Sequence, residues 1–201
     1  MQPIKLMKFW RQFTVLVQRN LRLILNDKLT MASLILQAPF MVLVIKMVVD
    51  PDCFTSNLIN IGSRTALFII SAMAAFMGTL NSYREICKER EIILREASVG
   101  VSLQAVVLSK AAVLLLVEIA QAVILALGFV SIVHVPQNHL LLETDMEIFV
   151  TLLLTMFSSS CVGLLISALF TNGESAILAV LVLMIGQVVF SNVMFTVTGA
   201  A

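Results

Sequence analysis

Charge is scarce in this chain. Lys and Arg number 13, Asp and Glu number 12, and 60% of the 201 residues are apolar. A mean hydropathy of +1.03 excludes an ordinary soluble globular domain. Metal-ligating residues are equally thin. Cys53, Cys87 and Cys161 fall in three different environments, so neither a disulfide framework nor a zinc site is indicated, and each reads as a small apolar residue. His134 and His139 flank Pro136 in a loop, and a histidine pair without matched carboxylates is a poor metal site. No GxxxxGK[ST] phosphate loop, GxSxG elbow, HExxH or CxxC occurs. The chain is therefore not expected to be an enzyme by itself, and any energy it uses must come from another polypeptide or domain. A cleavable signal peptide is also missing, because Arg11, Arg19 and Arg22 interrupt the apolar stretch it would need.

Long apolar runs take the place of charge. Five are read, at about 29–49, 62–83, 103–130, 148–170 and 176–198. Each can cross a hydrocarbon core of about 30 Å at about 1.5 Å per residue. Ahead of them, residues 5–27 are apolar on one side and basic on the other. Phe9, Phe13, Leu16 and Leu23 can share a face, Lys8, Arg11, Arg19 and Arg22 can reach water, and Trp10 suits headgroup depth. The fold class expected is an all-α membrane protein, a single domain over 1–201 with an interfacial helix and five transmembrane helices.

Basic residues orient it. With the N-terminus in the cytoplasm, eleven of the thirteen Lys and Arg lie inside, leaving only Lys46 and Arg64 outside. The outer loops, 50–61 and 131–147, carry Asp50, Asp52, Glu143, Asp145 and Glu147 instead. A multi-pass protein of the plasma (inner) membrane with a cytoplasmic N-terminus is expected, with no nucleic-acid partner.

Eight of the charges gather between Arg84 and Glu96, directly after the second span. Within this segment Glu91 and Arg95 have i,i+4 spacing, and Ile86, Ile93 and Ala97 fall on one face. Gly100 and Ser102 provide a helix stop and restart. The segment 84–97 reads as a short amphipathic helix at the membrane boundary, either a docking element for a cytoplasmic partner or a solvated loop helix. Inside the spans, Glu118 and Gln121 are polar at a depth where an ionisable group costs at least about 2.5 kcal/mol. Gln37 and Gln187 are possible partners for Glu118. The group could relay motion between helices, or serve as interhelical glue worth about 0.6 kcal/mol per hydrogen bond. Ser159, Gly163 and Ser167 form a small-residue stripe for close helix approach, and Pro39 is expected to bend the first span.

The string KEREIILREASVGVS at Lys88–Ser102, continuing to LSK at Leu108–Lys110, resembles ABC transporters of the type-2 permease class, especially the G-subfamily transmembrane domain and its bacterial relatives. The order of parts is similar over nearly the whole chain. The resemblance implies an elbow helix at 5–27 and a coupling helix at 84–97 that grips an ATPase through Glu89, Arg90, Glu91, Arg95 and Glu96. It implies a substrate cavity between the second and fifth spans of two protomers, lined by Phe76, Met77 and Leu80 from one and Ile185, Val189 and Asn192 from the other. The implied partners are an ABC ATPase domain or subunit, a second copy of the permease and the bilayer. No cofactor is expected on this chain, since ATP and Mg would bind the ATPase. Family members have six spans and usually an N-terminal ATPase domain, so a domain incomplete at its C-terminal end is expected, with the ATPase on a separate chain or a missing N-terminal domain. The implied function is the membrane-spanning subunit of an ATP-driven exporter that moves a hydrophobic or amphipathic substrate by alternating access. The competing reading is a non-transporting scaffold that recruits a cytoplasmic protein through the basic N-terminal helix and the 84–100 segment. An ion-coupled carrier fits less well, because Glu118 is nearly alone as an intramembrane ionisable group.

Overall fold

A computed structural model describes residues 2–54, 61–134 and 143–190, with side chains over 9–54, 62–134 and 143–189. All regular structure in the described residues is helical. The elements are α1 (Gln2–Asn26), α2 (Lys28–Val48), α3 (Ile61–Ser82), a 3-10 turn (Cys87–Glu89), α4 (Arg90–Ser98), α5 (Leu103–Ile132), α6 (Thr144–Leu169) and α7 (Gly173–Phe190). Among the described residues, four helices are long and apolar enough to cross a membrane: α2, α3, α5 and α6. The 18 residues of α7 are a shorter apolar helix, and the remainder of the run read at 176–198 lies outside the described residues.

The helices are placed by their caps. Asp27 closes the one-residue gap between α1 and α2, its carboxylate accepting from the Leu29 and Thr30 amides and the Thr30 hydroxyl. The Thr30 hydroxyl and amide hold that carboxyl below its ordinary range. Such a cap satisfies donors that the first turn leaves orphaned. Pro39 sits inside α2, which continues past it as helix. At the other side of the charged segment, Gly100 adopts φ +98, which favours glycine, and Val101 N donates to Glu96 O, closing α4. Ser102 then caps α5 by accepting from Ala105 N. The stop and restart read from Gly100 and Ser102 is present.

Helix association in lipid lacks a hydrophobic driving force and rests on close packing and interhelical hydrogen bonds. The most extensive pair is α3 with α6, and α6 also packs on α5 and α7. Small residues allow it. A Cβ on Gly78 would lie 2.2 Å from Met156 O, and one on Gly163 would lie 2.0 Å from Ser82 Oγ. The stripe through Ser159, Gly163 and Ser167 is buried, with Gly163 against Thr79 and Ser82 of α3 and Ser167 against the turn that follows α3. The main core joins Ala38 and Ile45 of α2, Ile70 and Met77 of α3, Leu125 and Phe129 of α5 and Met156 of α6. Outward, Leu29, Ile35, Leu36, Leu127, Leu154, Leu165 and Val182 are exposed, a lipid-facing apolar surface.

The helix expected over 84–97 starts only at Arg90. The physical reason is Ser167 of α6, whose hydroxyl accepts from the Ile86 and Cys87 amides. These donors are satisfied from outside, so the chain turns there instead of winding a continuous helix. The interfacial face of α1 also divides. Leu16 is buried with Phe9 packed on its cluster, whereas Leu23 is exposed. Trp10 is exposed and meets Phe13 edge to face at 5.8 Å.

Candidate functional site

Two polar assemblies stand out, one at the charged segment and one within the helix bundle. In the first, α4 is seated by apolar contact and tied by charge. Ile93 is buried with Leu16 of α1 and Ala105 and Val106 of α5, and Ile86 packs against the same cluster. Glu96 pairs with Arg19 of α1. Lys110 of α5, 2% exposed, reaches Glu89 at 2.9 Å and Glu85 at 3.4 Å, while Lys88 pairs with Glu85 at 2.6 Å. Gln12 of α1 donates to Gly100 O and accepts from Ser102 N, both at 3.4 Å, so it brackets the turn after α4. Asn20, buried on α1, donates to Ser109 Oγ at 3.1 Å.

The five charges expected to act together therefore divide into two groups. Glu89 and Glu96 face inward and hold the segment to α5 and α1. Arg90, Glu91 and Arg95 are exposed, and among the described residues no ion pair or hydrogen bond engages their side chains. The Glu91–Arg95 pair that the spacing predicts is not formed. Both side chains stand in water, where such a pair contributes only about 0.3–0.5 kcal/mol.

The second assembly crosses α2, α3, α5 and α6. Glu118 is fully buried, and its Oε1 accepts from Ser160 Oγ of α6. Gln121 accepts at 2.7 Å from Asn81 of α3 and donates to Leu34 O at 2.9 Å and Gln37 Oε1 at 3.4 Å of α2. The partner expected for Glu118 was Gln37 or Gln187, and neither holds. Gln37 meets Gln121 one helical turn away, because α2 packs on that side of α5 while α6 covers Glu118. Gln187 lies on the exposed side of α7 and joins neither chain of bonds.

Ser160 is also within 2.8 Å of Gly78 O, and its single hydrogen cannot serve both that carbonyl and Glu118. A glutamine at 118 would supply an N–H for Ser160 to accept and free the Ser160 hydrogen for Gly78. Glu118→Gln should thus be tolerated, whereas Glu118→Leu should cost on the order of 1–2 kcal/mol as the hydrogen bond joining α5 to α6 is lost, Ser160 keeping only Gly78 O. Unfolding in mixed micelles would measure this, and equal stability of the two variants would show that the bond carries nothing.

The residues expected to line a cavity scatter. Met77 is enclosed in the core of the helix bundle, so it does not reach the outer face of α3. Phe76 and Leu80 are half-buried, Ile185 and Val189 are exposed on α7, and Asn192 lies outside the described residues. Between the ends of α2 and α5, His134 Nδ1 lies 3.3 Å from Asp52 Oδ1, both exposed, and His139 is outside the described residues. Sequence reasoning missed Gln12, Asn20, Ser109 and Ser160. Asn20 carried a visible signal, a polar residue four positions after Leu16 on the face that α1 buries.

Over residues 11–199 the chain matches the family described as ABC-2 type transporter. It is similar to the ABC transporter ATP-binding/permease protein Rv1747 of Mycobacterium tuberculosis (strain ATCC 25618 / H37Rv), with 30% identity over 197 residues. That alignment takes in 94% of this chain and 23% of the relative, so the chain spans under a quarter of that protein's length. No solved structure matches. Given a family match over nearly its whole length and four helices able to span a bilayer, this chain is an integral membrane domain belonging to the ABC-2 type transporter family.

Proposed function

We propose that the chain is the membrane half of an ATP-driven exporter, with α4 as its coupling helix. The observation that carries this reading is the two-sidedness of α4. One side is seated in the bundle by Ile93 and tied through Glu96 to Arg19, and the other presents Arg90, Glu91 and Arg95 unengaged. A force-transmitting element needs both a rigid seat and a free, charged face toward its partner. The similar mycobacterial protein is named an ATP-binding/permease protein, which supports an ATPase with bound ATP and Mg as that partner.

In this reading the N-terminus and α4 are cytoplasmic, as the distribution of Lys and Arg favours. Two copies of the chain enclose a cavity lined by Phe76, Leu80, Ile185 and Val189. ATP-driven closure of the ATPase pair moves α4, and the bundle alternates its opening. The substrate is hydrophobic or amphipathic, since these spans offer little charge to an ion. A cysteine placed at Arg95 should react with an impermeant thiol reagent from the cytoplasmic side alone; reaction from outside would reverse the orientation.

Arg90→Glu combined with Arg95→Glu should leave insertion intact, because both residues are exposed outside the spans. It should abolish ATPase association or uncouple hydrolysis from transport, since like charges brought together at an interface cost several kcal/mol. Co-purification of the ATPase with substrate-stimulated hydrolysis is the assay. Unchanged coupling would reject the docking role. Association that survives in the parent without any substrate-stimulated hydrolysis would favour the scaffold reading.

A further inference from the structure

A surface cavity of ≈ 620 Å³ opens between α2 and the end of α3, bordered by Glu85 and Lys88 of the first assembly and by Gln37 and Asn81 of the second. Its lining changes character with depth. Asp27, Arg84 and Lys88 stand at the mouth, and Leu34, Met41 and Leu80 lie along the wall beside Gln37 and Asn81, whose amides are engaged with Gln121. From Asp27 to Met41 the α2 wall climbs about 20 Å at about 1.5 Å per residue. The mouth is thus at the level where the spans end and headgroups lie, and the wall runs into the hydrocarbon.

The charges at the mouth are unequally engaged. Glu85 is held by Lys88 and Lys110. Asp27 is occupied as the cap of α2. Arg84 is exposed, and its guanidinium has no ion pair or hydrogen bond among the described residues. Its side chain passes close to Gly173 at the start of α7, where a Cβ would come within 3.3 Å of Nε. A guanidinium offers a planar fork of donors matched to phosphate oxygens. A free guanidinium above a mainly apolar wall at the membrane boundary is complementary to one class of molecule, a phosphate headgroup carrying an acyl chain.

We propose that this groove binds a phospholipid from the leaflet in which α1 lies, with its phosphate on Arg84 and Lys88 and one chain along Leu34, Met41 and Leu80. Joined to the exporter reading, on which this role alone rests, the groove is where an amphipathic substrate leaves the leaflet. The binding does not depend on that role.

The test is native mass spectrometry of the purified chain in detergent, titrated with dioleoylphosphatidylglycerol, dioleoylglycerol or inorganic phosphate. The phospholipid should be retained and the diacylglycerol should not. Arg84→Gln should weaken retention about tenfold, the loss of one charge-assisted contact. Ser33→Trp, which fills the groove from its exposed α2 side, should weaken it without touching the charges. Both variants should unfold at the parent's midpoint, since both positions are exposed. Equal binding of diacylglycerol, or retention unchanged in Arg84→Gln and Ser33→Trp, would overturn the proposal. Displacement of the lipid by millimolar phosphate would assign the site to free phosphate instead. No ATPase enters the measurement, so a failure here leaves the exporter reading standing, and a failure of coupling leaves this site standing.

Discussion

Gly78→Ala should destabilise the bundle by about 3 kcal/mol or more, at the upper end of the usual cost of overpacking. The added Cβ would sit 2.2 Å from Met156 O and 3.0 Å from Met156 C. These are backbone atoms of the facing helix, so no side-chain rotation relieves the clash. Either α3 withdraws from α6 or the helix bends, and both open the contact that buries Met77 and Met156. The same shift would stretch the bond from Ser160 Oγ to Gly78 O. Gly163→Ala should be milder, since its nearest obstacle, Ser82 Oγ, can rotate away. Gly186→Ala is the control. Nothing lies within 4 Å of its Cβ position, and an alanine in a helix interior gains about 0.5–1 kcal/mol over glycine. Circular dichroism during titration of mixed micelles with a denaturing detergent would rank the three. A Gly78→Ala variant as stable as Gly186→Ala would mean that α3 and α6 do not approach this closely.

Lys110→Met should be the most damaging single change at the charged segment, costing on the order of 3 kcal/mol. It leaves Glu85 and Glu89 confined, with side chains 16% and 14% exposed, beside an apolar group where an ammonium stood. Glu85 keeps Lys88 at 2.6 Å, so Glu89 bears most of the loss. The connection between α3 and α4 should loosen, and trypsin should cut faster at Lys88, Arg90 and Arg95 in folded protein. Replacing the cluster as a whole, Lys110→Met with Glu85→Gln and Glu89→Gln, should restore most of the stability, because a neutral set avoids stranded charge. If the triple variant is as unstable as the single one, packing of the lysine stem rather than its charge is what matters. Cleavage at the parent's rate in Lys110→Met would show that the buried ammonium does not anchor the segment.

Much of the architecture was legible because membrane spans are a one-dimensional signal. Run length, the stop at Gly100 and the restart at Ser102 depend only on hydropathy, φ freedom and local capping. The small-residue stripe through Gly163 was readable for the same reason, since spacing of four places those residues on one helix face. The resemblance carried by KEREIILREASVGVS was confirmed by the family match. The separation of the charged segment into an inward, paired group and an outward, unpaired one was not legible. Glu89 and Glu96 look no different in sequence from Arg90 and Arg95, all four standing in one run of charge.

What the sequence by itself determined is therefore the membrane class, the places of the four long apolar helices and the family. Each rests on composition or on contacts between near neighbours along the chain. Only the tertiary structure decided which charges are spent inside the protein and which remain free. Lys110 reaches back 21 positions to Glu89, Arg19 reaches forward 77 positions to Glu96, and Ser167 caps amides 80 and 81 positions earlier. It likewise assigned Glu118 to Ser160 and Gln37 to Gln121. Pairings at such separations follow from which helix faces which across the bundle. Helix neighbours are chosen by the fit of small residues such as Gly78 and Gly163 against a facing backbone, a property of two surfaces together that no single stretch of sequence contains.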